Sequence, residues 1–251
     1  MPLRIIARLD VKPPYVVKPV HFEGLRKVGT PDELALNYHN QGADELLYID
    51  IVASLYQRGI LLDLIKKTAN GLLVPFTAGG GVRTIDDFTH LLNNGVDKVI
   101  INTYALQQDP SIITRAAEIF GSQAVMVHIV AKKWSGWWEC YSDCGRIRSG
   151  KDAFEWAMEV ERLGAGEILV SSVDQDGRRR GFDTDLIQGI VSRVKIPVIA
   201  GSGAGSKEDV KHIIEVAKPD AVAISSLLHY NISSILDLKQ YLSDEGIEVV
   251  I

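Results

Sequence analysis

The segment VPFTAGGGVRTIDD at 74–87 returns, altered but aligned, as IPVIAGSGAGSKED at 196–209. GADELLYIDI (42–51) returns in the same way as GAGEILVSSV (164–173). Both copies are displaced by 122 residues (42 to 164, 74 to 196), about half of the 251-residue chain. A repeat of this size calls for an architecture built from two equivalent halves. Around it, short β-rich runs alternate with amphipathic stretches. The strand candidates are RIIARLD (4–10), ELLYIDI (45–51), LVPFTA (73–78), KVIIN (98–102), AVMVHIV (124–130), EILVSS (167–172), IPVIA (196–200) and DAVAIS (220–225). Thr30-Pro31-Asp32-Glu33 reads as a capping box with Pro at the first helical position. Thr84 and Ser206 read as N-caps followed by acids, and Gly71 and Gly95 as C-terminal helix stops. Eight such alternations predict an α/β protein with a parallel (β/α)8 barrel, with a doubly wound open sheet as the alternative. The half-chain repeat favours the closed barrel, as two half-barrels of roughly 1–122 and 123–251. With no Pro/Gly-rich linker, residues 1–251 are expected to form one domain.

Composition narrows the function classes. A hydrophobic content of 46% suffices for one sizeable core. The net charge of −5, with dispersed basic residues, argues against a nucleic-acid ligand. MPLRIIARLDV lacks the apolar region and cleavage site of a signal peptide, and no apolar run reaches the roughly 18 residues of a membrane span. Cys140 and Cys144 have no second pair or neighbouring His, a weak metal signal, and without export a disulfide is not expected. These features predict a cytoplasmic enzyme with reduced thiols, without metal, cofactor or membrane partner.

The repeat carries a chemical signal. In FTAGGGVRT, a strand ends in Gly79, Gly80 and Gly81 before a helix that starts at Thr84. Glycine lets the backbone approach an anion, and free N–H groups at a helix start suit phosphate. The second copy supplies Gly201, Ser202, Gly203 and Gly205 before Ser206. Asn102-Thr103 and Ser225-Ser226 end the following strands and offer small donors to each cradle. A single Gly-rich turn can serve chain geometry alone. Two copies half a barrel apart point to an elongated ligand with a phosphate at each end, lying across the C-terminal mouth.

RIIARLDVK, VVKP, GADELLYIDI, AGGGVRT, DKVIIN, FGSQAV, GAGEILVSSVDQDG, IAGSGAG and LHY (228–230) occur in an order and spacing that cover nearly the whole chain. In these the sequence resembles the cyclase subunit of imidazole glycerol phosphate synthase. The resemblance implies a bisphosphorylated ribulosyl-carboxamide ribotide at the barrel mouth, in agreement with the two cradles. It also implies a glutaminase subunit docked at the N-terminal face, with Asp97 in the docking surface. Ammonia from that partner would cross the barrel and cyclise the substrate to imidazole glycerol phosphate and an aminoimidazole carboxamide ribotide. The family's two acid–base aspartates map onto Asp10 and Val130; the second is therefore missing. Acid–base assistance typically contributes about 10²–10⁴-fold, so its loss is serious unless another group substitutes. His128, on the face of Val130, is a candidate substitute, although a strand histidine can also be a hydrogen-bonded core residue. Lys18 matches the lysine of the family's mobile first loop, and Asp176 and Gly177 match residues near the substrate. Arg4, Glu45, Lys98 and Glu167 match a charged ring that gates ammonia, or else form a stabilising salt-bridge cluster.

Other positions depart from the family pattern. Arg8 and Ile100 stand where it has small residues or serine, and strand alternation turns Arg8 inward beside Asp10, a candidate ion-pair partner. Pro13-Pro14 replaces an Asp-Gly turn. Trp134, Trp137 and Trp138 either pack a hairpin after the fifth strand or line a site for another ligand, and Arg178 to Arg180 are an anion contact or a solvated charge run. Three functions remain in competition: the cyclase, a paralogue that channels ammonia with a glutaminase to an amidine-forming enzyme of surface-sugar synthesis, and a non-catalytic glutaminase activator. The sister isomerase of histidine synthesis fits less well, since it needs no gate ring.

Overall fold

The computed structural model describes residues 2–251. Its strands are β1 (Arg4–Lys12), β2 (Tyr15–Val20), β3 (Glu23–Gly29), β4 (Glu45–Asp50), β5 (Phe76–Gly79), β6 (Lys98–Ile101), β7 (Val125–Trp134), β8 (Trp137–Ser142), β9 (Ile147–Asp152), β10 (Glu167–Ser172), β11 (Val198–Gly201) and β12 (Ala221–Ile224). β1, β4, β5, β6, β7, β10, β11 and β12 run parallel in that order, and β12 pairs back onto β1. The result is a closed (β/α)8 barrel whose eight strands fall on the eight sequence candidates. Each is followed by an outer helix, from Pro31–Asn40 to Ile235–Asp244.

Two strands start later than their apolar runs suggest. β5 begins at Phe76 and β11 at Val198, each just after a proline (Pro75, Pro197) with no N–H for the ladder. Acids just before the next strand reinforce these openings. Asp97 accepts from Phe76 N–H and Asp220 from Val198 N–H, both at 2.8 Å, and Asp44 accepts from Ile5 N–H at 2.7 Å. Asp97, expected in a docking surface, thus has a structural task of its own.

The repeat persists at the helix starts. Thr84 with Asp87, and Ser206 with Asp209, form reciprocal capping boxes. The box expected at Thr30 does not form. Pro31 does take the first helical position, but the Thr30 hydroxyl donates to the Glu33 carboxylate at 2.7 Å and caps no backbone N–H.

Side-chain alternation sorts each strand between two apolar layers. Ile5, Ala7 and Leu9 of β1 pack outward under the helices, while Ile6, Leu47, Ile100, Met126, Leu169 and Ile199 fill the barrel interior. Two antiparallel additions stand over the C-terminal mouth: the β2–β3 hairpin after β1, and β8–β9 extending β7. The β7–β8 turn sits at Gly136, whose φ of +94° favours glycine. Among the described residues, no helix is long and apolar enough to cross a membrane.

Candidate active site

The barrel interior is charged at both ends and apolar between them. At the N-terminal floor, Arg4 pairs with Glu45 (3.2 Å) and with Glu167, and Lys98 contacts both carboxylates at 2.9 Å. Thr77 adds a 2.6 Å hydrogen bond to Glu45. Four charges of alternating sign close a neutral ring, since the first residues of β1, β4, β6 and β10 all point inward.

The mouth holds a second network, fully buried. Arg8 Nε lies 2.9 Å from Asp10 Oδ1, and Arg8 Nη1 donates to Ser171 Oγ at 2.8 Å. His128 Nε2 stands 2.9 Å from the same Ser171 oxygen. A guanidinium can only donate, so Ser171 accepts from Arg8 and its own O–H is free to donate to His128. Burial pushes the Asp10 carboxyl up, but Arg8 and Lys18 outweigh it and bring it below the usual carboxylate range. Burial, with Arg8 beside it, drives His128 well below its ordinary value. Near neutral pH the network therefore holds an ionised Asp10 and an uncharged imidazole already engaged by Ser171. Val130 packs with Phe22, Tyr141 and Val173, where a carboxylate is absent.

Lys18 does not stand free. Its Nζ is 3.1 Å from Asp176 and 3.8 Å from Asp10. Asp176 also accepts from Phe22 N–H (3.1 Å), and its carbonyl accepts from His21 N–H (2.9 Å). The β2–β3 hairpin is thereby pinned onto the Asp176-Gly177 loop. A Cβ on Gly177 would fall 2.4 Å from the Pro19 carbonyl, so only glycine allows this approach.

This docking makes the two Gly-rich turns unequal. The first, with Gly80, Gly81, Asn102 and Thr103, opens into a cavity of about 400 Å³ that reaches Arg8, His128 and Val130. The second, with Ser202, Gly203, Ser225 and Ser226, faces Lys18 and Asp176 across a space of about 10 Å³. That is on the order of room for one water and too little for a phosphate. Gly201 ends β11 beneath it. In the open half, Asn102 Nδ2 reaches the Tyr141 carbonyl at 3.4 Å, and Thr103 Oγ1 accepts from Asp143 N–H at 3.0 Å.

Several participants were not singled out in the sequence. Ser171 joins Arg8 to His128, and its repeat mate is Ile49, so the pattern hid it. Asp50, paired with Arg58 at 2.6 Å, lines the open cavity; burial holds its carboxyl above the usual range despite Arg58. It ends β4 as an acid, a signal that was available in LLYID. Trp134 and Trp138 pack the hairpin, Trp138 on Phe154 with its N–H donating to Asp183. Arg178, Arg179 and Arg180 are exposed, as a solvated run would be. Among the described residues, no three His, Cys, Asp or Glu side chains group to hold a metal ion.

An open Gly-rich turn at the mouth and a neutral charged ring on the floor set this chain among (β/α)8 barrels with a polar mouth and a polar floor. The family described as histidine biosynthesis protein matches residues 4–234, and the chain belongs to it. Imidazole glycerol phosphate synthase subunit HisF of Saccharolobus solfataricus is 48% identical over 98% of both chains. The HisF proteins of Thermococcus onnurineus and Dehalococcoides mccartyi are 45% and 44% identical, over 98% of this chain and 97% of theirs.

Proposed function

We propose that this protein is the cyclase subunit of an imidazole glycerol phosphate synthase. It uses ammonia to convert a bisphosphorylated ribulosyl-carboxamide ribotide to imidazole glycerol phosphate and an aminoimidazole carboxamide ribotide in histidine biosynthesis. The observation that carries this reading is the polarity of the barrel: a charged ring on the floor and an open Gly-rich turn at the mouth, joined by an apolar interior. Near full-length similarity to HisF proteins supports it. In this reading Arg4, Glu45, Lys98 and Glu167 admit ammonia from a glutaminase subunit at the N-terminal face. Gly80, Gly81, Asn102 and Thr103 hold one phosphate. Gly177, Gly201, Ser202, Gly203, Ser225 and Ser226 hold the other once the β2–β3 hairpin lifts. Asp10 acts as the base, and Lys18 and Asp176 engage substrate after exchanging their mutual ion pair for it. The whole chain works as one cytoplasmic domain.

Val130 favours a second reading, in which the barrel delivers ammonia with its glutaminase to another enzyme. Position 130 offers no carboxylic acid, and His128 is uncharged near neutral pH. Supplying ammonium and the bisphosphate to the isolated chain separates the two. The cyclase reading expects slow turnover, accelerated on the order of 10² or more by Val130→Asp. Absence of turnover in both proteins, with a glutaminase still stimulated by the wild-type chain, would replace it with the second.

A further inference from the structure

We propose that the cleft between the two hairpins over the mouth is a further phosphate subsite. While the β2–β3 hairpin stays docked, the cleft receives the far phosphate of a ligand whose near phosphate sits at Gly80–Gly81.

With the hairpin docked, only about 10 Å³ is left beside the second Gly-rich turn, so a far phosphate must go elsewhere. The cleft adjoins the open cavity. Phe22, Val130, Tyr141 and Val173 form one apolar cluster, with Phe22 and Val130 on the cavity and Tyr141 on the cleft. The chain passes from one to the other twice. Phe22 and Cys144 line the cavity, while their neighbours His21 and Gly145 line the cleft. A ligand that extends over this cluster therefore enters the cleft.

The cleft is rich in donors. Lys132, Arg146 and Arg148 line it around Trp134 and Tyr141, and Glu23 is the one carboxylate among the lining residues. Lys132 Nζ and the Arg148 guanidinium stand 5.2 and 4.8 Å from the Trp134 ring centre, so one indole gathers two like charges. Arg148 is matched by Glu139, 2.8 Å from its Nε. Lys132 and Arg146 pair with no carboxylate among the described residues. The Tyr141 hydroxyl accepts from Trp134 Nε1 at 3.2 Å and keeps its own O–H to donate. A phosphomonoester, with about −1.5 to −2 charges near neutral pH and three acceptor oxygens, suits two unmatched cations and a hydroxyl donor. These cations are solvated, so the cleft by itself holds phosphate weakly. Anchoring at Gly80–Gly81 turns the second contact into an intramolecular one.

The assignment rests on the reading of Gly80–Gly81 as a phosphate cradle, and NMR on the full chain separates the two. The probes are alkanediol bisphosphates of graded length and the monophosphates of the same alcohols, at constant ionic strength. Both should shift the Gly80 and Gly81 amides, and only bisphosphates of sufficient length should also shift the Trp134 indole N–H. By calorimetry the best bisphosphate should bind about tenfold more tightly than its monophosphate. Lys132→Ala/Arg146→Ala should erase that gain and the indole shift while leaving monophosphate binding in place. Lys132→Arg/Arg146→Lys, which keeps both charges, should retain most of the gain. A shift of the Gly203 amide in place of the Trp134 indole would overturn the cleft assignment alone. So would a bisphosphate that binds no more tightly than its monophosphate, or a gain that survives the double alanine variant. Absence of any Gly80–Gly81 shift with both sets of probes would remove the cradle reading and this assignment together.

Discussion

The two Gly-rich turns are copies in sequence, yet one faces an open cavity and the other a space fit for a water. Both turns take positive φ at the same two positions. Gly80 and its repeat mate Ser202 have φ of +112° and +69°, Gly81 and Gly203 have +76° and +115°, and each turn leads into a reciprocal capping box. What differs lies far away in the chain. The β2–β3 hairpin folds over the second turn only, held by Lys18, His21 and Phe22 on Asp176. A repeated sequence thus guarantees a repeated turn but not a repeated site, because access is set by segments outside the repeat.

The largest effect should come from breaking the lock. Asp176→Ala leaves Lys18 with only the more distant Asp10 and frees one backbone donor, the Phe22 N–H, while the His21 N–H keeps the residue 176 carbonyl. Loss of one partner from a buried ion pair typically costs about 3–5 kcal/mol, measurable by urea unfolding. Protease cleavage in 20–28 should rise sharply, and the second turn should begin to bind phosphate. An unchanged cleavage pattern would show that the hairpin is held by other contacts.

Next come the turns themselves. A Cβ on Gly80 would meet the Asp50 carbonyl at 2.4 Å, and one on Gly203 the Gly181 carbonyl at 2.2 Å, so either alanine variant should destabilise by a few kcal/mol. Only Gly80→Ala should also abolish phosphate binding by the wild-type-like closed form. Equal binding losses in both would make the two halves functionally equivalent after all. In the cluster that fills the missing acid's place, Val130→Ala should cost about 2 kcal/mol of stability, read by thermal unfolding.

The mouth should also make the fold acid-sensitive. Burial, with Lys18 nearby, pushes His229 down to about 4, and His128 lies well below its ordinary 6.5. Both stay neutral in the folded chain while the unfolded chain takes up their protons below about pH 6.5. Stability should therefore fall as pH drops from about 6.5 towards 4, by up to about 1.4 kcal/mol per pH unit for each histidine. Asp10, shifted below its usual range, adds to the loss only at lower pH. Flat unfolding free energies between pH 7 and 5 would contradict this. On the floor, Lys98→Met removes a largely buried cation from a ring that Arg4 still bridges, which should limit the loss to about 2 kcal/mol in thermal unfolding.

Much of this was legible in the residues. Strand alternation put Arg8 and Asp10 on one inward face, and the observed 2.9 Å pair follows from it. The first residues of four strands gave the charged ring, and Val130 marked the missing carboxylate. The Thr30 box was misread because the Glu33 carboxylate takes the hydroxyl that was expected to cap the helix. Ser171 escaped notice because an isolated serine on an apolar strand has no pattern of its own. Its importance lies in an arginine 163 positions away.

The sequence by itself determined the barrel, its two halves, the polar ends and the absence of an aspartate at position 130, because each depends on local periodicity or on residue type. Only the tertiary structure decided that one cradle is open and the other shut, that Lys18 is spent on Asp176, and that Arg8 keeps one nitrogen unpaired. Those facts depend on which distant segment fills a given volume, and volume is a property of the packed chain.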